Sequence, residues 1–156
     1  MDENTLIIFK TDINAQMELI KKINQTLNNR SIGLTGDDLI RLESVAYQIH
    51  NLYSAVEDLL KIVATYFENN ITETAKLHIA LLTRMTQTIP SIRPALISQE
   101  TFSILNSLRG FRHFFRHAYG TPIEYEQLKN NLDKSLNLLP ILEQDVNTFL
   151  EKICQR

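Results

Sequence analysis

Apolar residues recur along this chain at intervals of three and four, the spacing that lines one face of an α-helix. From about Asp2 to Asn29 the series is Leu6, Ile13, Met17, Ile20, Ile23 and Leu27, which predicts a first amphipathic helix. The polar stretch from Asn28 through Gly33 and Gly36 breaks it. Asp37 is the expected N-cap of a second helix. Its series runs Leu39, Leu42, Val45, Ala46, Ile49, Leu52, Tyr53, Val56, Leu59, Leu60, Val63 and Phe67, long enough to span the domain. Two polar residues intrude. His50 reads as a solvated or hydrogen-bonded helix histidine. Glu57 places a carboxylate beside an apolar stripe, where it can pair with cations elsewhere.

Asn69-Asn70 closes the second helix, and Thr72 is the expected cap of a third that runs to about Thr88. Ala75, Leu77, Leu81 and Met85 point inward on it, and His78 reads as a surface or interface histidine. Residues 89–97 contain Pro90 and Pro94 and cannot continue a helix. Their apolar content predicts a packed loop, in which Arg93 serves either a phosphate contact or a structural salt bridge. Ser98 caps a fourth helix ending near Tyr119-Gly120, glycine being suited to a helix C-terminus. Thr121-Pro122-Ile123-Glu124 reads as a capping box with proline at the first helical position of a fifth. Leu128, Leu132, Leu136, Leu139, Leu142, Val146, Phe149 and Ile153 continue its stripe, and Pro140 predicts a kink. There is no strand pattern, repeat or low-complexity tract. The expectation is an all-α, five-helix bundle forming one domain over residues 1–156.

One helix departs from the ordinary amphipathic pattern. Wound at 100° per residue, Ile104, Leu108, Phe111, Phe114, Phe115 and Ala118 share one arc, and Arg109, Arg112, His113, Arg116 and His117 share the other. Arginines at i,i+3 and i,i+4 repel one another, and no acid lies within residues 108–120 to relieve them. An external anion is the simplest compensation. Gly110 costs the helix about 1 kcal/mol against alanine, which points to a backbone or ligand approaching closely there.

The whole chain narrows the partners. With 156 residues, 44% of them hydrophobic and 22% charged, it has the composition of one globular domain with a real core. A net charge of −2 argues against a protein that coats nucleic acid generally, so any RNA contact must be local to the basic helix face. Cys154 is the only cysteine, which excludes an intramolecular disulfide and a cysteine-rich zinc site. The apolar run near the N-terminus is far too short for a signal or membrane segment, so the expected location is cytoplasmic, without membrane contact.

Nucleotide-binding loops, the serine-hydrolase elbow and the zinc-protease motif are all absent from the sequence. A cationic cluster without carboxylate ligands disfavours metal catalysis, and no cofactor is expected. One metal-free reaction that such a cluster could serve, cleavage of an RNA phosphodiester, needs only a base for the ribose 2′-OH, an acid for the leaving 5′ oxygen, and cations for the phosphorane. Histidine fits the proton transfers and arginine fits the phosphate. The expected product is a 2′,3′-cyclic phosphate. Arg112 and His117 lie about 140° apart around the helix. Two copies facing each other across a two-fold axis would surround one cleft with both pairs, which predicts a symmetric homodimer.

Arg112-x4-His117-x-Tyr119, with His113 after the arginine, resembles the signature of HEPN-domain ribonucleases, most closely the HepT-type toxins of prokaryotic toxin–antitoxin pairs. The likeness extends to the helical order of most of the chain, while its specific motif covers residues 109–120. It implies a metal-independent endoribonuclease toxin whose site, at a dimer interface, uses Arg112 and His117 with support from His113, Arg109 and Arg116. In that group an acidic residue of the second helix often faces the signature, here Glu57. The implied partner is an MNT-type nucleotidyltransferase antitoxin that can adenylylate the signature tyrosine, Tyr119. On residue chemistry alone Tyr119 reads as a helix-end tyrosine bonded to backbone. Two other readings stand beside this one: an inactive HEPN module that only pairs with the nucleotidyltransferase, and a structural helical adaptor.

Overall fold

A computed structural model describes residues 1–68, 77–117 and 120–155. These form α1 (Glu3–Ser31), α2 (Leu39–Glu68), α3 (Leu77–Met85), α4 (Gln99–His117) and α5 (Tyr125–Cys154), so the architecture is the expected all-α five-helix bundle. The expected cap Thr72, with Asn69, Asn70 and Ala75, lies outside the described residues, as does Tyr119.

α2 is the central element, since α1, α3, α4 and α5 all pack on it. α1 runs antiparallel to it. Tyr66 donates to Asp12 at 2.6 Å, Gln16 to the Ala55 carbonyl at 2.7 Å, and Arg30 to Ser44 at 3.1 Å. α5 closes over α4, where Asp145 accepts the Ser98 amide (2.9 Å) and the Ser98 and Thr101 hydroxyls (3.0 and 2.6 Å). Ser98 caps α4 as expected, its hydroxyl oxygen accepting the Thr101 amide at 3.2 Å. Pro140 stands inside α5 without ending it; lacking an N–H, it leaves the Leu136 carbonyl without its helical partner.

The core differs from the apolar stripes in a few places. Phe9 is fully buried and packs edge-on against Tyr66 and Phe67 at 5.1 and 5.3 Å, and Leu138 is also fully buried. By contrast Leu39, at the first turn of α2, is 62% exposed. The cap of α2 is Asp38, which accepts the Arg41 amide at 3.1 Å, because the Thr35 hydroxyl already occupies Asp37 at 2.5 Å. The expected capping box at Thr121 does not form. Glu124 is extended (φ −74, ψ 124), makes no side-chain cap, and α5 begins at Tyr125. Ile123 and Tyr125 both pack on the core, and the Tyr125 ring lies against Gly36, which holds the segment extended. Gly120 has the expected left-handed backbone, at φ +75.

The loop after α3 is packed, as its apolar content predicts. Leu96 and Ile97 are buried and donate their amides to the Met85 carbonyl at 2.9 and 3.1 Å. Arg93 is fully buried, so it cannot meet a phosphate, and the salt-bridge reading is the correct one. Its Nε and Nη2 donate to Glu68 Oε1 at 2.9 and 2.6 Å. The Gln87, Pro94 and Arg84 carbonyls take its remaining protons at 3.0–3.1 Å.

Candidate functional site

α4 buries Leu105, Leu108 and Phe111 and turns its basic arc outward. Arg109, Arg112, His113, Arg116 and His117 line one cleft of about 260 Å³, together with His78 and Ile79 of α3. Arg112 and His117, which the helix angle separates, thus border the same opening within a single chain. His113 and His117, one turn apart, bring their rings to 4.6 Å between centroids.

Arg112 is the deepest of the cations. Its guanidinium stands 5.4 Å over the Tyr53 ring, Nη1 is 3.9 Å from Glu57 Oε2, and Nε is buried without a partner among the described residues. Arg109 is braced by Asn106, whose side-chain oxygen accepts Nε and Nη2 at 3.2 and 3.0 Å. Among the described residues neither Arg109 nor Arg116 meets a carboxylate. The repulsion within the basic arc is therefore only partly offset.

Glu57 supplies that offset. It is 4% exposed on α2 and faces the arc, as the sequence anticipates. Its nearest partners were not anticipated: His78 Nδ1 at 2.6 Å and Lys61 Nζ at 3.2 Å. Burial alone would raise its pKa, but His78 and Lys61 outweigh burial and hold it below the ordinary glutamate value. Tyr53, buried beside it, is pushed up by burial and by the Glu57 charge.

His78 is the residue that sequence reasoning misses. A histidine in the first turn of a short helix carries no positional signal of its own. The available hint is that the chain has four histidines, and His50, His78, His113 and His117 all gather around Arg112. His50 corrects the expectation in another way. Its Nδ1 is buried with no hydrogen-bond partner among the described residues, and the ring sits between Tyr47 and Phe115 at 6.5 and 6.2 Å. Burial, then the Arg112 and Arg116 charges, lower its pKa and keep it neutral at pH 7.

A Cβ built on Gly110 would meet nothing within 4 Å among the described residues. One expectation for α4 changes. Phe114 is 37% exposed rather than buried. It joins Phe111, Phe115 and Glu43 on an open groove of about 510 Å³ on another side of α4. Tyr47 and Ile40 of α2 are likewise exposed, at 53% and 84%. Among the described residues no three of His, Cys, Asp and Glu converge as metal ligands, and no helix is long and apolar enough to cross a membrane.

A family model described as HepT-like protein matches residues 44–153, a span that includes every residue lining the cleft. No curated protein and no solved structure matches the chain.

Proposed function

The chain belongs to the HepT-like family, and from that premise we propose that it is a metal-independent endoribonuclease toxin of a toxin–antitoxin pair. One observation carries the reading: a single cleft combines three arginines and two histidines of the Arg-x4-His helix over one buried carboxylate. The arginines bind the scissile phosphate and spread the charge of the phosphorane, since a guanidinium offers a fixed fork of donors and stays charged. Arg109 and Arg116, without carboxylate partners among the described residues, are free to receive it. His117, exposed at the rim, supplies a proton-transfer group. A cluster this cationic attracts an anionic backbone and repels a divalent metal.

The active form is a symmetric homodimer with residues 109–117 near its axis. Gly110 supports this, because among the described residues nothing lies within 4 Å of a Cβ built there, which leaves room for a second copy's backbone. The exposed Ile40, Tyr47 and Phe114 supply apolar surface for the same contact. The partner is an MNT-type nucleotidyltransferase, which adenylylates Tyr119. That residue follows Arg112 by seven positions, nearly two full turns, so an attached nucleotide would obstruct the arginine.

One set of assays tests the reading. The purified chain in excess chelator is expected to cut RNA and leave 2′,3′-cyclic phosphate ends, and to sediment as a dimer. Adding the nucleotidyltransferase with ATP is expected to add adenylate mass and silence cleavage in wild type, but not in Tyr119→Phe. Tight binding of the nucleotidyltransferase by a protein that never cuts RNA would instead establish the inactive-module reading.

A further inference from the structure

His78 has no part in the reading above, yet it pairs with Glu57 and faces the same cleft. Nδ1 of His78 lies 2.6 Å from Glu57 Oε2, a charge-assisted distance. Glu57 is almost wholly buried, while the His78 side chain keeps 36% of its surface exposed. Lys61 at 3.2 Å and Arg112 at 3.9 Å fix the carboxylate from two further directions. Glu57 is ionised at neutral pH, and an ionised carboxylate can only accept hydrogen bonds. The proton between the two groups therefore belongs to Nδ1. A neutral His78 then carries its lone pair on Nε2, the arrangement by which a buried carboxylate prepares an imidazole as a base.

We infer that His78 is the general base of RNA cleavage, with Glu57 as its positioning residue, and that His117 of the same cleft is the acid. The inference rests on the ribonuclease reading. Nε2 of His78 takes the proton of the ribose 2′-OH as the 2′ oxygen bonds to phosphorus. The bond from phosphorus to the 5′ oxygen breaks, and His117 protonates that oxygen as it leaves. The products are a 2′,3′-cyclic phosphate and a 5′-OH. The two histidines end with exchanged protonation states and reset through solvent. Base and acid thus come from α3 and α4 of one chain, not from two copies of His117. The charged and titrating groups around His78 are Glu57 and Lys61 from α2, and Arg109, Arg112, His113, Arg116 and His117 from α4.

The test compares an RNA dinucleotide with a ribonucleoside 3′-(4-nitrophenyl phosphate), whose good leaving group needs no acid. His78→Gln is expected to lose about 10²–10⁴-fold in kcat on both substrates. His117→Ala should lose similarly on RNA and recover most of its rate on the nitrophenyl ester. Glu57→Gln, which can donate to Nδ1 and so move the ring proton to Nε2, should flatten the acidic limb of the pH–rate profile. Added imidazole should restore part of the rate to His78→Ala, which a merely structural histidine would not allow. If His78→Gln cuts RNA at the wild-type rate while Arg112→Ala is dead, the cleft is a nuclease but its base lies elsewhere. If wild type cuts neither substrate, both readings fall.

Discussion

Arg112→Ala and His117→Ala are each expected to slow RNA cleavage by about 10²–10⁴-fold while the helical circular-dichroism spectrum stays unchanged. His117 is exposed at the end of α4, so its removal leaves no hole in the core. Arg112 is more embedded, but Glu57 keeps its two shorter partners, His78 and Lys61, when the guanidinium is lost. No buried carboxylate is stranded, and the fold should survive. Arg112→Lys is expected to recover little of the lost rate, because an ammonium cannot present the planar fork that a phosphorane needs. Single-turnover kinetics on a defined oligonucleotide measure both effects. Rates within threefold of wild type for either alanine variant would remove that residue from the mechanism.

The largest effect on stability is expected far from the cleft. Arg93→Ala should destabilise the fold by about 3–5 kcal/mol, the usual consequence of breaking a buried ion pair by removing one partner. All five guanidinium protons are bonded, so the substitution leaves the Gln87, Pro94 and Arg84 carbonyls without this donor. Among the described residues Glu68, 10% exposed, would retain Arg84 alone, at 2.8 Å. Urea denaturation at neutral pH should show a lower midpoint with little change in slope. A loss under 1 kcal/mol would mean that the loop holds Glu68 by some other route.

The helices were legible because each buries one stripe, and a stripe is a local property of sequence. The cationic arc of α4 was legible for the same reason, and so was the lone acid of α2 that faces it. What escaped were contacts between distant elements. His78 meets Glu57 across 21 positions and Arg93 meets Glu68 across 25, and neither histidine nor arginine announces its partner. The failed capping box at Thr121 shows the reverse case. A good local signal yielded to the burial of Ile123 and Tyr125. Phe114 yielded differently, since its position on the apolar arc does not ensure that anything in the chain lies opposite it.

The described part of α3 is 9 residues long, and α2 holds it by a carboxylate near each end: Glu57 on His78, and Glu68 on Arg84. At both carboxyls burial raises the pKa, and the cationic partners more than reverse it, so each sits below 4.5. The stabilisation they provide is complete above about pH 4.5 and is lost as pH falls through the lower folded-state values. The segment bearing His78 should therefore open as a separate unit below about pH 4.5, before the longer helices yield. Hydrogen exchange should find the amides of α3 exposed while those of α1 and α2 remain protected; uniform exposure would show one cooperative block. Acid of that strength would then remove the geometry of the cleft without unfolding the whole protein, and neutralisation would restore it without refolding from the beginning.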